Sequence, residues 1–115
     1  MKICYWTNYP SRYQAAFFKA LRGAGVDLRV VYFTVHDRYR RRLGWREARA
    51  LEPWELRASC VRAVRREIPD FDDRIQVCTG FFGWAYWRLV LYCVAKKLAW
   101  CACTEGSRGG FFTWP

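Results

Sequence analysis

Asn8 and Ser11 flank Tyr9-Pro10 in a short polar turn between an apolar run and a stretch of helical periodicity. Polar side chains there, with the first free amides of a helix, can hold a hydroxyl group or an anion. The helix amino terminus offers unpaired N–H groups and positive potential. Ser11 can instead simply cap its own helix, with Gln14 three residues on in capping-box spacing. Gly80 directly follows a second apolar run, where glycine allows close backbone approach or a positive φ, or makes an ordinary turn. Glu105 follows a third such run, and its carboxylate either accepts hydrogen bonds from hydroxyl groups or is a plain loop acid. His36 is the only histidine and reads as a surface residue rather than a base.

The elements that must position these residues follow from periodicity and punctuation. Lys2 to Trp6 is an apolar strand, and Thr7-Asn8-Tyr9-Pro10 a turn, because Pro10 biases Tyr9 away from helical angles. Ser11 opens a helix with Tyr13, Phe17 and Leu21 at i, i+4 and i+8, closed by Gly23 and Gly25. Val26 to Phe33 is a β-branched and aromatic strand. From Thr34 to Leu51 charge concentrates in Arg38, Arg40, Arg41, Arg42, Arg46 and Arg49, a partly helical connection. Pro53 suits the first turn of a second helix, whose apolar stripe is Trp54, Ala58, Val61, Val64 and Ile68. Pro69 ends it, and Asp70, Asp72 and Asp73 form an acidic turn before a strand at Arg74 to Cys78. A third helix, from about Trp84 to Leu98, is apolar nearly all round apart from Arg88 and Lys96-Lys97. Ala99 to Cys103 is a fourth strand, followed by a loop and an irregular tail from about 106 to 115.

Strands alternating with helices predict an α/β fold: a Rossmann-like parallel sheet of about four strands with helices on both faces, in a single domain over 1–115. Right-handed crossovers place the first strand centrally, the second on one side, and the third and fourth on the other. Ligands in such sheets bind beyond the carboxyl ends of the strands, where the order reverses. The turns Thr7 to Ser11, Thr79 to Gly83 and Thr104 to Gly110 are predicted to converge there. No GxGxxG, Walker or GxSxG motif is present, which disfavours a self-contained nucleotide-binding or hydrolase domain.

Composition narrows the classes further. The chain of 115 residues is 53% hydrophobic and 19% aromatic, which excludes disorder by composition. Seven tryptophans imply a thick aromatic core, or apolar surface meant for another domain or a membrane. A net charge of +10 speaks for anionic partners. The arginines between 38 and 66 carry no recognition-helix or RNP pattern, so a solvated or lipid-facing surface is favoured over nucleic acid. Six cysteines without a CxxC pair argue against zinc and disulfides and for a reducing cytoplasm. Cys4, Cys78, Cys101 and Cys103 are expected in strands as small buried hydrophobes. No secretory signal is read at the amino terminus. Arg88 and Lys96-Lys97 cut the apolar stretch from Gly80 to Thr104 into pieces too short for a membrane span.

The opening Met1-Lys2-Ile3-Cys4-Tyr5-Trp6-Thr7-Asn8-Tyr9-Pro10-Ser11, with the paired aromatics Phe17-Phe18, resembles the start of bacterial family-four-like glycosyltransferases of the GT-B fold. Val77-Cys78-Thr79-Gly80 and Thr104-Glu105 look similar to later strand ends of that family, so the resemblance covers about residues 1–110. It implies half of a GT-B architecture: the acceptor-side domain of an enzyme of hexosyltransferase type that moves a sugar from a nucleotide-sugar donor. Asn8, Tyr9, Ser11, Gly80 and Glu105 would line the cleft facing a donor domain that holds most of the nucleotide-sugar. The implied partners are a sugar or lipid-linked acceptor and a donor-domain chain, with no separate cofactor or metal and no assignable catalytic residue. The 115 residues alone are then expected to be inactive, with exposed aromatics at the orphaned interface. The alternative is a non-catalytic basic module that docks on an anionic membrane, peripheral at its inner face, or on a partner protein.

Overall fold

The computed structural model describes residues 1–7, 12–33, 51–58, 60–79 and 83–103. Five strands form one sheet: β1 (Lys2–Thr7), β2 (Asp27–Phe33), β3 (Glu55–Ala58), β4 (Ile75–Thr79) and β5 (Trp100–Cys103). Their order is β3-β2-β1-β4-β5, and every neighbouring pair is parallel. Among the described residues three α-helices accompany it: α1 (Arg12–Gly23), α2 (Val61–Glu67) and α3 (Gly83–Ala95). This is a Rossmann-like α/β fold, with β1 central and the strand order reversing beside it, as the alternation of elements predicts.

Side-chain alternation along the strands divides the core in two. Phe18 of α1 packs with Leu28, Val30 and Tyr32 of β2 on one face. On the other face Val64 of α2 and Tyr86, Leu89 and Cys93 of α3 meet Cys4, Trp6, Val31, Phe33 and Cys78. A strand buried on both faces reads as a near-continuous apolar run, and β2 has that form.

Three expectations are corrected. The segment after Pro53 begins as strand β3, not as a helix, and the helix is confined to Val61–Glu67. A short window of Trp54, Ala58 and Val61 fits helical spacing, but β2 offers an unpaired edge that Glu55–Ala58 satisfies in parallel register. Glu55 anchors that strand: its carboxylate accepts from the Tyr32 hydroxyl and from the Glu52 amide. Second, Phe18 rather than Phe17 is the buried ring of α1, because Tyr5 and Trp54 take it edge-on at 5.0 and 6.2 Å. Third, α3 stops at Ala95, where Lys97 turns left-handed at φ 54° and the Leu98 amide donates to Cys93. Gly25, at φ +91°, closes α1 in the left-handed region as expected of a glycine stop.

The amino-terminal end of the sheet is tied by Arg74, whose side chain is 5% exposed. Its guanidinium donates to the carbonyls of Ile3 and Asp27 at 3.2 and 2.9 Å. It also pairs with the Asp27 and Asp70 carboxylates at 3.1 and 3.0 Å. One planar donor set thus joins β1, β2 and the turn into β4. Burial alone would lower its pKa, but the two carboxylates hold it above its ordinary value. The hydrogen bond from Arg74 in turn holds Asp70 below the ordinary 3.8.

Arg74→Met is therefore expected to cost about 3 kcal/mol in urea unfolding, through lost charge-assisted bonds and stranded carbonyls. Because Asp70 is depressed in the fold, its contribution is present above pH 3.8 and disappears as pH falls below that value. The parent should show this acid limb in a pH series of unfolding midpoints, and the variant should have a shallower one.

Candidate functional site

The reversal of strand order lies between β1 and β4, and the carboxyl ends of β1, β4 and β5 stand side by side on one rim. β1 ends at Thr7, β4 at Thr79 and β5 at Cys103, with Thr79 and Cys103 in register. A hydroxyl at the end of these two neighbouring strands is a local consequence of sequence: each apolar run ends in threonine. The Thr79 hydroxyl donates to the Trp6 carbonyl at 2.6 Å, closing the β1–β4 edge at the rim. Gln14 of α1 donates its side-chain amide to the Thr7 hydroxyl at 3.3 Å.

Beneath the rim the two strands are locked together. The Trp6 indole N–H donates to Gln76 Oε1 at 2.9 Å, and Gln76 Nε2 donates to the Phe71 carbonyl at 2.9 Å. Tyr5 lies on the α1 face, in edge contact with Phe18. Burial raises its hydroxyl pKa, Cys103 adds to that rise, and the Thr79 hydrogen bond opposes it. At neutral pH this is a phenol that donates and accepts without ionising.

The described side chains that end β1, β4 and β5 are two hydroxyls and a thiol, with no carboxylate, imidazole or amine among them. Such a set has the chemistry to accept and donate hydrogen bonds to hydroxyl-bearing or amide-bearing groups. Among the described residues no group of three or more His, Cys, Asp or Glu is placed to hold a metal ion.

Asn8, Tyr9, Ser11, Gly80 and Glu105 lie outside the described residues, as do His36 and the arginines from 38 to 49. What the fold establishes is that the strands leading into Asn8, Gly80 and Glu105 are neighbours ending on the same rim. Tyr5 and Gln14 join the candidate set from the structure. Gln14 carries a sequence signal as a capping-box residue, and its side-chain amide reaches Thr7. Tyr5 reads in the sequence only as one more apolar strand residue.

The cysteines divide by position. Cys4, Cys78 and Cys93 are buried, whereas Cys60, Cys101 and Cys103 are exposed, and none forms a disulfide. Cys101 and Cys103, expected to be buried, are exposed with the rest of β5, an edge strand of the sheet among the described residues. Desolvation pushes Cys78 up to about 12 and Cys93 up to about 11, and raises Cys4 as well. Thiolate is the reactive form. With an aromatic disulfide reagent at pH 8, the native protein should therefore yield three fast thiols and the urea-unfolded protein six. A native count of five or six would mean that the core around Cys78 and Cys93 is open.

No family model matches this chain, and no curated protein or solved structure matches it either.

Proposed function

We propose that the chain is the acceptor-side, Rossmann-like half of a GT-B glycosyltransferase, which transfers a sugar from a nucleotide-sugar donor. The observation that carries this reading is the shared rim. β1, β4 and β5 run parallel as neighbours and lead into Asn8, Gly80 and Glu105 at the point where strand order reverses. Open parallel sheets take ligands at that point. The neutral polar groups of Thr7, Gln14, Thr79 and Tyr5 suit an acceptor rich in hydroxyls, whether a free sugar or a lipid-linked one. The resemblance of the Tyr9-Pro10-Ser11 turn and of the strand ends at Gly80 and Glu105 supplies the reaction class.

In this reading Asn8, Tyr9, Ser11, Gly80 and Glu105 face the acceptor, and a second domain or chain holds most of the nucleotide-sugar. Glu105 accepts hydrogen bonds from acceptor hydroxyls, and the amides after Ser11 receive a polar or anionic group. No catalytic residue is assigned within this chain, and the isolated chain is expected to be inactive.

Amide chemical shifts during titration with neutral mono- and oligosaccharides test this directly. Saccharides should perturb Thr7, Thr79 and Cys103 and the segments that follow them. Asn8→Ala and Glu105→Gln should each weaken binding about tenfold, the scale of a lost hydrogen bond to a polar or charged group. Perturbations confined to the amino-terminal edge around Arg74 would refute the site. Sugar transfer by the isolated chain would refute the half-enzyme reading.

A further inference from the structure

α3 buries Tyr86, Leu89 and Cys93 against the sheet, yet its opposite flank is as apolar as the buried one. Trp84, Trp87, Leu91 and Val94 recur at spacings of three and four, which places them on one stripe of the helix. They are 82, 53, 65 and 57% exposed, respectively. Trp100 of the edge strand is exposed as well, and its register partner is Gln76, on the face of the sheet that α3 covers. A contiguous apolar surface of this kind marks an interaction site.

The charges around the stripe identify its occupant. Arg88, Lys96 and Lys97 are exposed on and just after α3, and residues 83 to 103 include no aspartate or glutamate. Asp72 approaches α3 through Tyr92, whose hydroxyl donates to it at 2.9 Å, and Arg65 of α2 shares that carboxylate at 3.8 Å. The stripe is therefore apolar with a cationic margin. No helix among the described residues is long and apolar enough to cross a membrane.

We propose that the outer flank of α3, with Trp100 beside it, lies in the plane of an anionic lipid surface. Trp84, Trp87, Leu91 and Val94 enter the headgroup boundary while Arg88, Lys96 and Lys97 meet the lipid phosphates. A short helix with tryptophan and aliphatic residues on one side and cations beside them has the composition of an interfacial helix. A second copy of the chain fits poorly, since like cations would face one another across a two-fold interface. Single-stranded nucleic acid would use the tryptophans for stacking but leave Leu91 and Val94 without a role. A donor domain, the occupant that the sugar-transfer reading gives to exposed aromatics, would leave the cationic margin of Arg88, Lys96 and Lys97 without a role, and vesicle binding by this chain separates the two.

Co-sedimentation of the full chain with vesicles of phosphatidylcholine, with and without 30% phosphatidylglycerol, tests the proposal. Binding should require the anionic lipid and weaken as salt rises. Arg88→Gln with Lys96→Gln and Lys97→Gln should lower the partition coefficient on the order of a hundredfold. Trp84→Ser with Trp87→Ser should lower it about tenfold, while Lys19→Gln on the opposite layer should leave it unchanged. Circular dichroism of each variant establishes that the fold persists. In the unmutated protein, brominated lipid should quench tryptophan emission, which needs no variant. Equal binding to neutral vesicles, binding unaffected by both sets of substitutions, or absence of quenching would overturn the proposal. So would a salt-resistant dimer in sedimentation equilibrium that excludes vesicles.

Discussion

The indole of Trp6 and the side chain of Gln76 meet across the β1–β4 pair at 2.9 Å, in a part of the core where both residues are fully buried. Gln76 also gives its amide to the carbonyls of Phe71 and Arg74 at 2.9 and 3.3 Å. A polar pair at such depth is tolerable only when its donors and acceptors are matched, because each stranded group costs about 1 to 3 kcal/mol. That matching holds β4 against β1 in one register. With Arg74 below it and the Thr79 hydroxyl above it, the contact ties β1 to β4 along its whole length. The reversal of strand order, and hence the rim, exists because this junction is locked.

The two layers around the sheet are uneven in a way that bears on function. α1 seals β1 and β2 through Phe18, and Arg22 stacks over Trp54 at 5.2 Å while donating to the Leu28 carbonyl. On the far face α2 and α3 share the larger cluster, and α3 has more apolar surface than that cluster can take up. The exposed tryptophans thus run along the outer side of α3.

Much of this was legible in the residues, and the misses have identifiable causes. The order of elements, the central place of β1 and the glycine stop at Gly25 follow from local patterning and from the handedness of crossovers. Strand β3 was hidden because four residues, Glu55 to Ala58, are too few to separate a period of two from a period of 3.6. The exchange of Phe17 for Phe18 has a related origin: adjacent rings both fit an amphipathic helix, and only Tyr5 and Trp54 decide which turns inward. At the candidate site, the threonines at strand ends carried a local signal, but the bond from the Thr79 hydroxyl to the Trp6 carbonyl joins positions 73 residues apart that no spacing reveals.

Sequence by itself determined that apolar strands are interspersed with helices and that the strands are apolar enough to be buried. Those are properties of short stretches, and the preferences of adjacent residues are sufficient to specify them. Tertiary structure alone decided that Glu55–Ala58 joins the sheet, that Cys101 and Cys103 sit on an open edge, and that α3 keeps Trp84 and Trp87 outside. Each of those outcomes depends on which backbone groups and which apolar faces find a partner across the fold. Such partners are set by the order in which strands pack, and β1 can accept only one neighbour on each side.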